Sequence, residues 1–338
     1  MKRIRWVALT AALLLVVAAC GDDDDAATTT AAPDTTAAET TTTEAVDLTQ
    51  GGDLTFHMVT HSDDGVFWSV VKKGSEDAAE DLGVNLVWSP SFNDPSKQVS
   101  DIEAAVAAGS SGIGVSLANP EAVAPAAAAA VDAGIPVVTL NSGVNDYQGI
   151  GAITHVGQTE VVAGNGAGLR FNELGATKVL CAQQEQGNVG LEERCEGLAQ
   201  TFSGEVVTQF VGLDTSPEEQ INNIAAALQA DTDINAVLGV GPNVAVRAVD
   251  AGQQAGRDLF IGGFDISTDI IGAIEAGDVD FTVDQQQYLQ GYLSVLFLYL
   301  NATNLNTVGG GLPVLTGPGF VDTANVGEVK ALVEAGTR

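Results

Sequence analysis

The sequence predicts an α/β fold built from two similar doubly wound parallel-sheet lobes joined by a hinge. From Asp53 onward, short apolar runs typical of buried strands alternate with longer stretches of helical periodicity, which is the pattern of repeated βαβ units. These runs are too numerous for one sheet, so two sheets are expected. The apolar strand at 259–264 ends in Asp265, at the position where open α/β sheets bind ligands.

The predicted elements follow one another in regular alternation. Those of the first lobe are strand 54–60, helix 67–82, strand 85–88, helix 95–108, strand 113–117, the alanine-rich helix 120–133 and strand 136–140. Those of the second are helix 160–174, strand 178–181, helix 191–202, strand 206–210, helix 217–229, strand 236–240, helix 244–255, strand 259–264, helix 268–276 and strand 279–283, before a long helix at 286–300. Ser267 or Thr268 is the expected N-cap of the helix after Asp265.

The amino terminus reads as an export signal. A basic start is followed by an apolar stretch too short to span a bilayer comfortably, and small residues lead into Cys20. This arrangement resembles a bacterial lipobox, which implies cleavage before Cys20 and lipidation of its thiol. The alternative is an ordinary secretory signal with a chance cysteine. We therefore expect an extracytoplasmic protein that is lipid-anchored to the outer face of the bacterial cell membrane.

The predicted domain boundaries follow from these patterns. Residues 1–20 are the lipoprotein signal peptide, and 21–52 form a disordered linker rich in Asp, Thr and Ala, because this segment cannot bury enough apolar surface to offset its chain entropy. The N-terminal lobe comprises 53–156 plus 285–311, and the C-terminal lobe comprises 157–284 plus 312–338. The chain is expected to pass between the lobes near 154–158 and 284–287.

The charge balance excludes one class of partner. The chain of 338 residues carries 13 Lys and Arg against 44 Asp and Glu, a formal net charge of −31. A nucleic-acid or anionic-membrane binder needs basic residues facing phosphates, so no nucleic acid is expected, and membrane contact is expected only through the lipid anchor.

Two cysteines indicate a structural disulfide, and two histidines offer a zinc site as a less favoured alternative. Cys181 ends a strand and Cys195 lies early in the next helix, so in an exported protein the pair is expected to form a disulfide that stabilises by about 3 kcal/mol. His57 and His61, followed by two aspartates, are spaced so that they could ligate zinc, which would make the chain a metal-binding solute receptor. Hydrogen-bonding roles for these histidines are the favoured interpretation.

The sequence lacks the motifs of the common enzyme classes. The glycine-rich stretch at 164–168 lies inside a helix and does not fit a dinucleotide-binding fingerprint, so close helix packing is its expected role. No nucleophile elbow, zinc-protease motif or P-loop is present, and no nucleophile is paired with a base. We therefore expect no enzymatic activity and no cofactor.

Adjacent aromatics at 67 and 68 follow a polar turn after the first strand. A helix cannot bury two adjacent side chains equally, so one ring is expected to face the cleft. An aromatic face there suits the C–H groups of a sugar, while polar side chains of the turn, Asp64 among them, would take its hydroxyls. A half-exposed aromatic at a helix start is the alternative.

Several motifs, in order, cover most of the body from 54 to 301 and resemble the ribose-binding type of periplasmic sugar-binding protein of ABC importers. They are Phe67-Trp68, the strand end at Asn141, the Glu193-Arg194 helix, the strand end at Asp265 and the segment ending in Gln285. The resemblance implies the periplasmic binding protein-like type I fold and ligand contacts from Phe67, Trp68, Asn141, Arg194, Asp265 and Gln285. Ser142 replaces a common arginine, Asn243 is a possible substitute for a second-lobe asparagine, and Thr215 lies near the second-lobe aromatic position, so the ligand is expected to differ from ribose.

The resulting hypothesis is a monomeric solute-binding protein that captures a neutral sugar or polyol and delivers it to an ABC transporter permease. Acceptors such as Asp265 and Asn141, with donors such as Arg194 and Gln285, would converge from two lobes that close on the ligand. A ligand-sensing partner of a membrane receptor would have the same pocket, and an exported sugar-modifying enzyme remains the rival from another class. A cytoplasmic sugar-binding repressor is disfavoured by the export signal and by the lack of a basic DNA-binding segment.

Overall fold

The computed structural model describes residues 52–62, 65–214 and 216–338. The predicted signal peptide, the lipidation site Cys20, the linker up to residue 51, Asp64 and Thr215 lie outside the described residues. Within the described part, no helix is both long enough and apolar enough to cross a bilayer.

The secondary structure alternates as the sequence predicts. The strands are β1 Thr55–Thr60, β2 Asn85–Pro90, β3 Gly112–Val115, β4 Val137–Asn141, β5 His155–Gly157, β6 Lys178–Gln183, β7 Glu205–Phe210, β8 Ala236–Gly239, β9 Phe260–Phe264, β10 Phe281–Asp284, β11 Val314–Leu315 and β12 Gly319–Asp322. The helices are α1 Val66–Leu82, α2 Pro95–Ala107, α3 Pro120–Asp132, α4 Glu160–Leu174, α5 Val189–Thr201, α6 Pro217–Ala230, α7 Pro242–Ala255, α8 Thr268–Ala276, α9 Gln287–Asn304 and α10 Val326–Glu334.

The described strands form two six-stranded sheets, one in each lobe. The first has the order β11-β5-β4-β3-β1-β2 and is parallel throughout. The second has the order β12-β10-β9-β8-β6-β7 and is parallel except for the edge strand β12, which pairs antiparallel to β10. Each sheet has helices on both faces, which gives each lobe two hydrophobic clusters. The predicted fold of two doubly wound lobes is confirmed.

Glycines allow the helices over each sheet to pack closely. In the first lobe, a Cβ at Gly74 or Gly291 would overlap the backbone of the facing helix, because α1 and α9 cross at these positions. In the second lobe, Gly164 and Gly197 do the same where α4 meets α5. The glycine-rich stretch at 164–168 therefore serves close helix packing, as predicted.

The chain passes between the lobes three times, and the crossings lie side by side. They are residues 158–159, 285–286 and 316–318. Thr316 ties them together, because its N–H donates to Gly157 O (2.6 Å) and its hydroxyl to Gln285 O (2.7 Å). The Gln286 amide in turn donates to Thr316 O (2.6 Å). This cluster is a short, shared hinge.

The third crossing differs from the predicted domain boundary. Residues 312–338 were assigned to the second lobe, but β11 pairs with β5 of the first sheet, so the change of lobe follows Leu315. Gly157, also assigned to the second lobe, lies in β5. Strands of two or three residues carry too little periodicity to be recognised from sequence, which is why β5 and β11 are not predicted and the third crossing is predicted too early in the chain.

The predicted cysteine pair is joined in the second lobe. Cys181 in β6 and Cys195 in α5 have an S–S distance of 2.05 Å and a Cα–Cα distance of 5.9 Å. Both are buried in the cluster under α4 and α5. The bond thus ties α5, which carries Arg194, to the sheet beneath it.

Candidate functional site

A cavity of about 240 Å³ lies between the lobes, at the carboxyl ends of strands from both sheets. Residues predicted as ligand contacts line it from both sides: Phe67, Trp68 and Asn141 from the first lobe, and Arg194, Asn243 and Asp265 from the second. Parallel strands meet their ligands at this edge of an open sheet. The structure therefore gathers six predicted residues into one site.

Asn141 and Asp265 hold the ends of β4 and β9. Both have left-handed backbones, with φ of 63° and 67°, and both side chains are buried at the cavity wall. Asp265 is fixed by its backbone, since its N–H donates to Val283 O (2.7 Å) and its carbonyl accepts from the Thr282 hydroxyl (2.7 Å). Asn and Asp are the non-glycine residues that adopt this conformation most readily. Ser267 caps the helix that follows, accepting from Ile270 N–H (3.3 Å).

Arg194 is buried in α5 and held on several sides. Its Nε and a terminal nitrogen donate to the two oxygens of Glu160 (2.7 and 3.0 Å), and its other terminal nitrogen donates to Val240 O (2.7 Å). The guanidinium lies 4.5 Å from the centre of the Phe264 ring and 3.6 Å from Asp265 Oδ2. Burial alone would lower the pKa of Arg194, but the neighbouring carboxylates raise it, so the group stays cationic.

The ionised carboxylate of Asp265 is destabilised by its burial. Burial raises the pKa of its carboxyl to about 6, against the opposing attraction of the Arg194 guanidinium and a hydrogen bond from Gln285. A ligand hydroxyl that donates to this carboxylate would stabilise its ionised form. The site therefore combines a charged acceptor with a neighbouring charged donor, a pair suited to a hydroxyl group, which both donates and accepts.

Gln285 differs from the prediction in its position. It does not line the cavity but is fully buried directly after β10, where its amide donates to Asp265 Oδ1 (2.5 Å) and its own oxygen accepts from Gln290 (2.7 Å). The chain leaves the second lobe at this residue, which directs the side chain into the hinge. In this structure Gln285 positions Asp265.

Phe67 and Trp68 form the aromatic wall at the start of α1. Trp68 is buried while Phe67 is half-buried, as expected for adjacent positions on a helix. Their rings meet edge to face with centroids 5.1 Å apart, and the His61 ring packs edge-on against Trp68 at 5.1 Å. The two rings thus supply apolar surface to the cavity wall.

The cavity is also lined by polar residues that were not predicted as individual ligand contacts: Ser62, Ser142, Gln184, Glu185, Asn188 and Asp214. Gln184 follows β6 directly and Asp214 lies beyond β7, so the signal that identified Asp265, a polar side chain after a strand, was available for Gln184 and less clearly for Asp214. Asp214 holds Asn243, whose Nδ2 donates to Asp214 Oδ2 (3.3 Å). Burial raises the pKa of Asp214, against the attraction of Arg247.

Gln184 carries an unused acceptor. Its Oε1 is buried and has no hydrogen-bond partner in the described part of the chain. The residue itself lines the cavity. Gly241 makes room for the amide, because a Cβ there would lie 2.8 Å from Gln184 Nε2. A buried oxygen without a partner costs free energy unless a ligand or water donates to it.

The lobes touch across the cleft. The contacts are Val189 N–H to Ala118 O (3.0 Å), Asn145 Nδ2 to Glu193 Oε1 (2.6 Å), Ser142 Oγ to Asn188 Oδ1 (3.4 Å), and Asn188 Nδ2 with His61 Nε2 (3.3 Å). Each joins a residue of the first lobe to one of the second. The molecule is therefore in a closed arrangement, with the cavity enclosed between the lobes.

His57 and His61, the two histidines proposed as zinc ligands in the alternative interpretation, each hydrogen-bond to a serine hydroxyl. Nδ1 of His57 lies 2.8 Å from Ser110 Oγ, and Nδ1 of His61 lies 2.8 Å from Ser116 Oγ. Burial lowers the pKa of His57. Among the described residues, no group of three His, Cys, Asp or Glu side chains is arranged to hold a metal ion.

The chain matches the family model described as the periplasmic binding protein domain over residues 56–304. Among solved structures, it is similar to a carbohydrate transporter from Acidothermus cellulolyticus in complex with myo-inositol, at 40% identity and a TM-score of 0.82, covering 84% of this chain and 99% of that one. Among curated proteins, it is similar to the xylose/arabinose-binding protein of Sulfolobus acidocaldarius, at 26% identity over 79% of this chain and 71% of that one. It also resembles the ribose import binding protein of Escherichia coli, at 27% identity over 68% and 79%.

Proposed function

Because the chain belongs to the periplasmic binding protein family, we propose that it captures a neutral sugar or cyclic polyol between its lobes and delivers it to an ABC importer. The observation that carries this proposal is the make-up of the closed cavity. Aromatic side chains form one wall, while an Asp265–Arg194 pair and the Asn141 amide face it. Apolar ring surface and charge-assisted donors and acceptors in one enclosed space match the two kinds of surface that a sugar or polyol has.

Myo-inositol is the first ligand to test. The solved relative that shares 40% identity was determined with it, and the curated relatives are named for xylose, arabinose and ribose. Ser142 and Asn188 add neutral polar groups to the cavity wall, so a neutral ring with many hydroxyls fits better than an acidic one. Glu185 and Asp214 reinforce this preference, because they would repel an anion.

A thermal-shift screen of the purified full chain tests the proposal. Myo-inositol, D-xylose, L-arabinose and D-ribose are compared with glycine and glutamate as unrelated solutes. A ligand at about a thousand times its Kd should stabilise by roughly 4 kcal/mol, a readily measured rise in Tm. The same ligand should leave Tm of the Asp265→Ala variant unchanged. If no sugar or polyol raises Tm of the unaltered chain, the proposal is wrong.

Binding without turnover separates the proposed function from an enzymatic one. After incubation with a molar excess of protein, the ligand should be recovered chemically unchanged. Delivery to an importer predicts that cells lacking the protein lose uptake of the same ligand at low concentration. Recovery of a modified ligand would instead favour a sugar-modifying enzyme.

The proposal includes anchoring of a monomer at Cys20, with residues 21–52 as the tether. Labelled palmitate fed to producing cells should be incorporated into the chain and not into a Cys20→Ser variant. Light scattering of the detergent-extracted protein should give the mass of one chain after correction for detergent. Absence of label from the unaltered protein would leave an ordinary secretory signal as the explanation.

A further inference from the structure

A second cavity, of about 340 Å³, adjoins the first at the mouth of the cleft. The loop after β2 and the segment after β7 form much of its wall, and these strands lie at the sheet edges remote from β5, β10 and β11, where the chain crosses between lobes. The cavity therefore opens on the side away from the hinge. Its lining includes Phe92, Pro95 and Asn119 from the first lobe and Gln186, Phe210 and Leu213 from the second.

The two cavities share a thin partition. His61, Glu185 and Asn188 line both, with His61 from the first lobe and the other two from the second. Across the cleft, His61 Nε2 lies 3.3 Å from Asn188 Nδ2 and 3.5 Å from Glu185 Oε2. These are long contacts between side chains of different lobes, so a small separation of the lobes at the mouth would join the two cavities. In a ligand with one ring in each cavity, the oxygen that links the rings would lie at this partition, within hydrogen-bonding reach of the Asn188 amide.

The second cavity presents large apolar side chains to solvent from both lobes. Phe92 is 62% exposed and Leu213 is 47% exposed. The loop that carries Phe92 is fixed, because the N–H groups of Phe92 and Asn93 donate to Ser62 O (3.4 Å) and His61 O (2.6 Å) at the end of β1. Both loop residues have left-handed backbones, with φ of 52° and 59°, a costly conformation for phenylalanine. The exposure of this ring is thus built into the fold.

We propose that the second cavity is a subsite for a second ring attached to the ring held in the first, so that the protein takes an O-glycosylated sugar or polyol. The inference rests on the proposed function and deepens it. Two aromatic residues, Phe92 and Phe210, with the amides of Asn119 and Gln186, repeat the combination of ring faces and polar groups found in the first cavity. Glu185 stands between the cavities and would repel an anion, so the substituent is not anionic.

Calorimetric titration of the full chain with matched ligand pairs tests the subsite. The pairs are myo-inositol with its galactosyl derivative galactinol, D-xylose with xylobiose, and D-glucose with cellobiose. For at least one pair, the two-ring compound should bind as tightly as the single ring or tighter. Phe92→Ala should weaken the two-ring compound about threefold to tenfold, the usual range for loss of an aromatic contact, and leave the single ring within twofold.

Two controls separate the possible outcomes. Leu305→Ala removes an apolar side chain that is 84% exposed and does not line the second cavity, so it should change neither affinity. Asp265→Ala should abolish binding of both members of a pair. The subsite is refuted if single rings bind and no two-ring compound does, or if Phe92→Ala weakens both members equally. If neither member of any pair binds and no other sugar or polyol raises Tm of the unaltered chain, the proposed function itself fails.

Discussion

Asn141 and Asp265 occupy corresponding positions in the two lobes. Each stands at the carboxyl end of a strand, each has a left-handed backbone (φ 63° and 67°), and each side chain is buried at the wall of the same cavity. This conformation costs free energy for residues other than glycine, and the cost is smallest for Asn and Asp. The repeated geometry aims one amide and one carboxylate into the cleft from opposite sides, which is what a ligand with hydroxyls around its ring requires.

Asp265→Asn should separate binding from folding. Asparagine keeps the shape and tolerates the left-handed backbone, but it removes the charged acceptor, so ligand affinity should fall about tenfold to a hundredfold. Unfolding free energy at pH 7 should stay equal or rise, because the folded pKa of about 6 lies above the ordinary pKa of 3.8 for an aspartate and ionisation therefore opposes folding. Titration calorimetry and urea unfolding measure the two effects. Unchanged affinity would remove Asp265 from the binding site.

Ligand affinity should depend on pH through the same carboxyl. Burial raises the pKa of Asp265 to about 6 in the free protein, and a donating ligand needs the ionised form. Affinity should therefore be constant above about pH 7 and fall below pH 6, approaching tenfold per pH unit. Calorimetry between pH 4.5 and 8 measures this, and the Asp265→Asn variant should show a flatter profile. Equal slopes in the two proteins would assign the effect to another group.

The strand-end signal accounts for what could be predicted of the site and for what could not. Asp265 is identified because it ends an apolar run, whereas Asn141 is identified through the family resemblance of its strand end. Gln285 is likewise identified through the resemblance, yet its side chain turns into the hinge, since sequence spacing does not tell which side of a strand end faces the cleft. Gln184 was missed although it follows β6, because its neighbours Gln183 and Glu185 are polar too and obscure which residue faces inward.

The fold was predictable for a different reason. Buried parallel strands such as β9 and long helices such as α1 carry strong periodic patterns. The short strands β5, β11 and β12 owe their existence to pairing with distant neighbours, and no local pattern marks them. Tertiary pairing thus decides where the chain crosses between the lobes, and the sequence places the third crossing too early, at 311–312 instead of after Leu315.

Gln184→Met should show whether the ligand donates a hydrogen bond to Gln184 Oε1, which is buried without a partner. If a ligand hydroxyl donates to this buried oxygen, methionine should lower affinity about tenfold or more, because the hydroxyl is left without a partner. A deoxy analogue that lacks that hydroxyl should bind both proteins alike. Calorimetry with a series of deoxy ligands measures this.

Asn165→Leu is the matched control for this variant. Asn165 Oδ1 is likewise buried without a partner, but the residue does not line the cavity. Its substitution should leave affinity unchanged. Equal loss of affinity in the two variants would show that the Gln184 effect is indirect.

Glu160→Gln should test how Arg194 is held. The ion pair between them is almost wholly buried, with side-chain exposures of 2% and 4%. Removing one partner of a buried pair should cost about 3 kcal/mol of unfolding free energy, and ligand affinity should fall because Arg194 is then free to turn towards Asp265. Glu275→Gln, which breaks the exposed pair with Lys330, should cost much less unfolding free energy than Glu160→Gln, because water screens the exposed charges. Urea unfolding compares them, and similar small losses would contradict the holding role.

His155 should make the fold sensitive to acid. Burial lowers the pKa of His155 from 6.5 to about 3, while its Nδ1 lies 3.0 Å from Thr139 Oγ1. Because the unfolded chain takes up the proton first, this stability is present above pH 6.5 and lost as pH falls, by about 2 kcal/mol at pH 5. Asp265 acts in the opposite sense, so the comparison needs a variant. Urea unfolding of His155→Gln at pH 7.5 and pH 5 should show a smaller difference than the unaltered protein does.

Two helix glycines should respond oppositely to alanine. At Gly164 in α4, a Cβ would overlap the Arg194 carbonyl of α5, and neither backbone can yield, so Gly164→Ala should cost about 1–3 kcal/mol and displace Arg194. At Gly272 in α8, no atom lies within 4 Å of the added Cβ. Gly272→Ala should therefore stabilise by about 0.5–1 kcal/mol, because alanine loses less chain entropy in a helix. Urea unfolding gives both values, and calorimetry should find weaker ligand binding only in Gly164→Ala. Destabilisation by both substitutions would contradict the close contact of α4 and α5 as the cause.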